Sequence, residues 1–257
     1  MTPSRLPLSA VLITLNAASQ LRPTLASLAF CDEIVVVDSG STDGTQALAR
    51  EFGAKVIAAE WRGFGPMKQF AVAQASNDWV LCVDSDERVS EGLQQSITSA
   101  LAVPPTPTFA AYQFPRCNRF MGRYLKHGEG YPDWSLRLFD RRQARWSDDA
   151  VHEHVLTDVP VGNLAGDLLH DTAETLDSYL SKQNRYTTLA ANSAFAAGKR
   201  VTAAHLLLSP LIRFVKFYFV RLGFLDGIPG LVHILIGCQN SFAKYAKILA
   251  LQGKQSP

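Results

Sequence analysis

Short apolar runs that break off abruptly into polar or acidic residues recur along the first part of the chain. Leu8 to Leu15 is the first, Ile34 to Val37 closes on Asp38, and Val80 to Val83 closes on Asp84, Ser85, Asp86 and Glu87. The last is a continuous apolar block, which suits a parallel strand covered on both faces better than a half-exposed one. Between these runs, Leu21 to Phe30 carries a helical period. A second helix is expected over Thr45 to Phe52, started near Asp43 and stopped by Gly53, with a short strand over Lys55 to Ala59. A third helix is expected over Pro66 to Ser76, with Pro66 at its first position. Strand and helix thus alternate, which predicts an α/β fold: a mostly parallel, Rossmann-like sheet with helices on both faces.

The pattern loosens further on. Glu91 to Leu101 reads as a helix, Pro104 to Pro107 breaks the chain, and Phe109 to Phe114 is β-prone. We therefore expect a catalytic domain over residues 1–174, divided into halves at 103/104, and a helical region over 175–257. In that region a helix runs from Thr175 to about Gly198. Leu206 to Leu225 follows, with Arg213, Lys216 and Arg221 as its only charges. At the helical period these fall within an arc of roughly 140°, leaving a broad apolar face. Ser209-Pro210 is a fitting start for this helix. Such a segment suits the interface of an anionic membrane better than a span, the alternative being that it packs on the catalytic domain. Gly227 to Ala243 is uncharged but short for a crossing.

Composition changes this picture little. The 257 residues allow one sizeable domain with an appendage, and a net charge of +2 without a basic block gives no support for nucleic acid as a partner. Cys31, Cys82, Cys117 and Cys238 are widely spaced, as expected of reduced thiols in a cytoplasmic protein. The start of the chain mimics a signal peptide only loosely, and a first buried strand is the better reading.

The chemistry concentrates where strands end. Asp84 and Asp86, one residue apart, can offer oxygen ligands to one Mg²⁺ or Mn²⁺ that keeps other positions for water and phosphate oxygens; a solvated acidic turn is the alternative. In Trp61-Arg-Gly-Phe-Gly65-Pro-Met-Lys68-Gln69 the glycines permit close backbone approach, and Arg62 and Lys68 are cations suited to phosphates, unless the loop is a plain connector. If Val151 to Val155 is a regular strand, alternation sets His152 and His154 on one face and Glu153 on the other. A zinc site at His-x-His lacks further ligands nearby.

Taken together, Ile13-Thr-Leu-Asn16, Val37-Asp-Ser-Gly-Ser-Thr-Asp-Gly-Thr45 and Val83-Asp-Ser-Asp-Glu87 resemble, in order and spacing, the inverting GT-A-type glycosyltransferases of family 2. The resemblance implies a nucleotide-sugar donor lined by Thr14, Asn16 and Asp38, although Asp38 alone reads equally as a turn residue. It extends the donor site to Gly65, Lys68, Gln69, Asp84, Ser85 and Arg137. It also implies Asp84, Asp86 and His170 as metal ligands and Glu153 as the catalytic base. Tyr131-Pro-Asp-Trp-Ser-Leu-Arg-Leu-Phe139 resembles the lipopolysaccharide inner-core transferases of that family, which implies an acceptor-lining role for Asp133, Trp134 and Arg137 and makes Asp133 the second candidate base. Lys182-Gln-Asn-Arg185-Tyr186 resembles only faintly the Gln-x-x-Arg-Trp of processive members, whose donor contacts would map to Lys182 and Arg185; the departure favours addition of a single sugar.

The activity so implied is transfer of a hexose, glucose from UDP-glucose, onto a heptose of a lipopolysaccharide inner core. The enzyme would be peripheral on the cytoplasmic face of a bacterial inner membrane. The cations from Arg116 to His127 suit an anionic glycolipid acceptor or a solvated loop. Alternatives are another acceptor such as a polyprenyl phosphate, or a nucleotide-sugar-binding membrane protein without turnover.

Overall fold

The computed structural model describes residues 6–102, 109–149, 153–172 and 175–253. Pro104 to Pro107 and His152, both used in the sequence reading, lie outside them. Two compact units form, one of residues 1–117 and 133–171, the other of 118–132 and 172–257.

The first unit begins with β1 (Leu6–Thr14), α1 (Ala18–Ser27), β2 (Cys31–Asp38), α2 (Thr45–Glu51), β3 (Lys55–Ala58), α3 (Phe64–Ala73) and β4 (Trp79–Cys82). These four strands are parallel neighbours in the order β3-β2-β1-β4. Both faces are covered, as the apolar runs require: Leu8, Ala10, Leu12, Val36 and Leu81 enter one buried cluster, and Val11, Val35, Val37, Val80 and Cys82 the other. The chain reverses its winding between β1 and β4, the place where open α/β sheets leave a crevice at the carboxyl ends of strands. Thr14, Asp38 and Asp84 stand at those ends.

Past β4 come β5 (Glu87–Val89), α4 (Glu91–Leu101), β6 (Ala111–Phe120), β7 (Arg123–Tyr124), β8 (Asp133–Asp140), β9 (Ala144–Trp146), β10 (Val155–Thr157), β11 (Val161–Asn163) and β12 (Leu168–His170). The sheet continues β4-β8-β6-β12-β5, with β8 antiparallel to both β4 and β6 and β12 antiparallel to β5. The contiguous parallel strands thus belong to the amino-terminal half, and mainly antiparallel pairs complete the sheet, with β11 parallel to β6. Separately, β9 and β10 form a two-stranded hairpin.

Several local expectations shift. α3 starts at Phe64, so Pro66 occupies its third position, still within the first turn where its missing N–H costs no bond. Glu153 and His154 are not in a strand, since β10 begins at Val155.

In the second unit α5 (Leu176–Ala196) is capped by Thr175, whose hydroxyl accepts from Ser178 N–H. α6 (Ala203–Phe214) begins after Thr202 and not at Ser209, because the Thr202 N–H donates to His205 Nδ1 at 3.3 Å and so starts the helix seven residues before Pro210. Pro210 therefore lies inside the helix, which runs on into a π-helical turn, Val215–Val220. Ala203–Val220 is long and apolar enough to cross a membrane, with a mean hydropathy of 1.4 and none of it buried. A 3₁₀ turn, Gly223–Asp226, leads to α7 (Gly227–Gly253), longer than its uncharged stretch. The excursion 118–132 packs here through the buried Asp226, whose carboxylate accepts from the backbone N–H groups of Lys126 (2.9 Å) and His127 (2.7 Å).

Candidate active site

Lys68 is the centre of the site. It is buried, and its ammonium lies 2.9 Å from Asp84 Oδ1 and 2.9 Å from Glu153 Oε1, joining two carboxylates that stand far apart in the chain. Its place is fixed by α3. One turn earlier, Gly65 N–H donates to the Asp149 carbonyl at 3.1 Å, and a Cβ at residue 65 would collide with the Ser147 carbonyl oxygen and lie 2.6 Å from that of Asp149. The Gln69 amide oxygen accepts from Trp146 N–H at 2.9 Å. Gly65 and Gln69 thus grip the β9–β10 hairpin, and the close approach expected of this loop is to the protein's own chain. On the other side of the hairpin, Ser147 N–H donates to the His154 carbonyl at 2.8 Å, which holds Glu153 at the mouth. Glu153 is 17% exposed and His154 61%; with His152 outside the described residues, the expected sharing of one face by the two histidines is not put to the test.

Asp84 has a second cation. Arg137, on β8, reaches Asp84 Oδ2 at 3.0 Å and lies 3.7 Å from the fully buried Glu87. Burial alone would raise the Asp84 carboxyl; Arg137 and Lys68 together outweigh it and hold it well below the usual carboxylate range. Burial pushes Glu87 up, and Asp84 beside it adds to the rise that Arg137 opposes. Arg137 in turn is raised by Asp84 and Glu87 against the cost of its burial. Trp146, which the sequence reading passed over, backs both cations: its ring centre is 4.8 Å from Lys68 Nζ and 5.3 Å from the Arg137 guanidinium, and its Nε1–H points to Cys82 Sγ. Arg137 Nη1 is buried without a hydrogen-bond partner among the described residues, a donor suited to an anionic oxygen.

The expected metal ligands divide. Asp86 Oδ2 lies 3.3 Å from His170 Nε2, and β12 is held there because Asp171 N–H donates to the Asp86 carbonyl at 2.9 Å. Asp84 is turned to Lys68 and Arg137 instead, since two buried cations need its charge. Among the described residues no three His, Cys, Asp or Glu side chains converge as a metal cluster. The pair Asp86 and His170 does fit one Mg²⁺ or Mn²⁺: an oxygen and a nitrogen about 3 Å apart can both reach an ion at roughly 2.1 Å, with water and diphosphate filling the other positions.

The nucleoside-lining candidates are committed to their own loop. Asp38 is fully buried, and its carboxylate accepts from the Thr14 hydroxyl (2.8 Å), the N–H groups of Gly40 (3.1 Å) and Ser41 (2.8 Å), and Gln46 (2.7 Å). Burial would raise it, but these bonds, with Ser41 foremost, hold it low. Asn16, at φ 50°, accepts from Thr42 N–H at 2.9 Å. The turn-organising role of Asp38 is therefore the one displayed. The Ser85 carbonyl accepts from Thr24 Oγ1 at 2.9 Å. Asp133 is bound by Arg116 at 2.8 Å, and Trp134 is 45% exposed. Lys182 and Arg185 belong to the second unit and are exposed on α5.

The chain is similar to known proteins along nearly its whole length. A family model described as Glycosyl transferase family 2 matches residues 9–156. The lipopolysaccharide core biosynthesis glycosyltransferase LpsC of Rhizobium meliloti (strain 1021) is 33% identical over 95% of this chain and 92% of its own length. An uncharacterized glycosyltransferase of Rickettsia felis is 29% identical over 94% of this chain and 89% of its own. Among solved structures, residues 1–349 of S. aureus TarS in complex with UDP superpose with a TM-score of 0.51 at 15% identity, covering 97% of this chain and 93% of that one, which shows a shared GT-A fold. A first unit wound in this way, matched by the family model across β1 to β10, together with a relative at this identity across both units, places the chain in glycosyl transferase family 2.

Proposed function

We propose that the chain transfers a hexose, glucose from UDP-glucose, with inversion at the anomeric carbon onto a heptose of a lipopolysaccharide inner core. The observation that carries this reading is the Lys68 link between Asp84 and Glu153, which sets a carboxylate beside a cationic pocket at the carboxyl end of β4. LpsC, similar over nearly the full length, supports the lipopolysaccharide context by its name.

In this reading Glu153 takes the proton of the acceptor hydroxyl while that oxygen attacks the anomeric carbon and the bond to the nucleoside diphosphate breaks. Lys68 and Arg137 face the charge that develops on the departing diphosphate. A divalent cation, when bound by Asp86 and His170, supplies further charge neutralisation there. Both carboxylates carry a cation; Glu153 is preferred to Asp133 as base because its cation, Lys68, also joins it to Asp84 at the end of β4, whereas Asp133 is paired with Arg116. Thr14, Asn16 and Asp38 shape the nucleoside side through the loop they hold. The test is a screen of purified protein with Mn²⁺ or Mg²⁺ against UDP- and GDP-sugars, followed by transfer to a deacylated inner-core acceptor. UDP-glucose is expected to give a single-sugar product with inverted linkage; turnover only with another sugar or with a polyprenyl phosphate would sink the narrower assignment.

The second unit suits peripheral attachment to an anionic membrane. Its outward residues include Leu211, Ile212, Phe219 and Val220, exposed by 58%, 63%, 56% and 72%. The cationic arc is weaker than its sequence suggests, since Arg213 pairs with Glu129 and Arg221 donates to the Tyr131 carbonyl, so replacing either also removes a contact within the unit. Replacing Leu211 and Phe219 with Gln is therefore the cleaner variant. It is expected to lower co-sedimentation with anionic vesicles by roughly tenfold or more, each buried large apolar side chain contributing about 1.5–3 kcal/mol. Unchanged binding, or wild-type protein that resists alkaline carbonate extraction as a spanning helix does, would contradict an interfacial role.

A further inference from the structure

A cleft of about 400 Å³ opens in the second unit among α5, α6, α7 and the excursion 118–132. That volume lies within the range of small-molecule pockets, roughly 300–1,000 Å³. Apolar surface makes up the larger part of its lining, and polar side chains are set into it. Gln183 Oε1 accepts from Asn240 Nδ2 at 2.8 Å, and Tyr179, Thr187 and Ser241 add hydroxyls. Glu129 and Arg213 form an ion pair laid against α7 at Gly237, where a Cβ would collide with the Glu129 carboxylate and approach Arg213 Nε to 3.0 Å. Glycine at this helical position makes room for the pair.

The charges facing the cleft do not balance. Arg213 and Glu129 cancel, and burial, aided by Arg213, keeps His233 in its neutral form. Lys244 remains. Its ammonium stands 4.7 Å from the Tyr245 ring centre, with no carboxylate within ion-pair distance among the described residues. Among the described residues His233 makes one hydrogen bond, Nε2 with Tyr179 Oη at 3.2 Å, and its Nδ1 is buried without a partner. An uncompensated cation and an unsatisfied buried nitrogen, set among amides and hydroxyls, are the complement of a ligand that is both anionic and rich in hydrogen-bonding groups.

We propose that this cleft is a binding site for a phosphate monoester on a small polar carrier, with Lys244 pairing the phosphate and Gln183, Asn240 and His233 binding the carrier. Hexose phosphates and phosphate-bearing lipid heads share that chemistry. The site stands independently of the transfer reaction, and its test needs neither donor nor acceptor.

The full chain is titrated with glucose 6-phosphate, with monomeric dihexanoyl phosphatidic acid, and with glucose, while backbone hydrogen exchange is read by mass spectrometry. Saturable protection of peptides from α7 around Gly237 to Lys244 is expected with at least one of the two phosphates, and none with glucose at the same concentration. Protection by the sugar phosphate identifies a soluble ligand, and protection by the short lipid alone identifies a lipid head. Lys244→Gln is expected to weaken the protecting probe roughly tenfold, and Asn240→Leu, a second variant that keeps every charge, should weaken it as well. Absence of protection in α7, equal affinity in both variants, or protection confined to peptides carrying Lys68 and Arg137 would each overturn the proposal.

Discussion

Glu153→Gln is expected to cut sugar transfer by roughly 10² to 10⁴ while leaving donor affinity nearly unchanged. The substitution keeps the size of the side chain and removes its negative charge and with it its capacity to take a proton. Lys68 loses one of its two counter-ions but keeps Asp84 at 2.9 Å, so the cation that faces the diphosphate stays in place. The measurement is a single-turnover assay beside a donor titration. Transfer at the parent rate, under conditions where chemistry limits turnover, would remove Glu153 from the reaction and make Asp133 the residue to test.

Asp86→Asn should act on a different step. Asp86 and His170 offer the paired oxygen and nitrogen suited to a divalent cation, so loss of the Asp86 charge is expected to weaken Mn²⁺ and donor together and to reduce transfer by roughly a hundredfold or more. His170→Ala should follow the same pattern. The choice of Asp86 is deliberate: Asp84→Asn would leave Arg137 and Lys68 without their shared partner, and breaking a buried pair in this way costs about 3–5 kcal/mol of stability. Manganese binding followed by electron paramagnetic resonance separates metal loss from unfolding. Full activity in EDTA, or a variant that binds manganese like the parent, would take the metal out of the reaction.

How far the sequence foretold this arrangement depended on the range of the contacts. Asp38 and Asp84 were legible because each closes an apolar run, and a buried strand that stops at a carboxylate has few places to put it. Lys68 was legible as a cation near the site, but its partners were not, since Glu153 lies 85 residues away and arrives through the β9–β10 hairpin. Trp146 carries no polar signal at all; it matters because two cations lie against its ring. Asp84 and Asp86 have the same spacing in a metal pair as in the divided arrangement found here, and only the placement of Arg137 and His170 separates the two. Pro210 misled because a proline reads as a helix start, whereas Thr202 and His205 had already begun the helix. The cations from Arg116 to His127 read equally as suited to an anionic acceptor or as a solvated loop; the backbone contacts of Asp226 that anchor the excursion 118–132 follow no local pattern.

The uncovered apolar side of Ala203–Val220 ties the measured stability of the protein to its solvent. An amphiphile that settles on that side in the folded state, and not on the unfolded chain, adds free energy in proportion to the logarithm of its concentration. A melting temperature recorded in detergent and one recorded in plain buffer therefore describe two different equilibria.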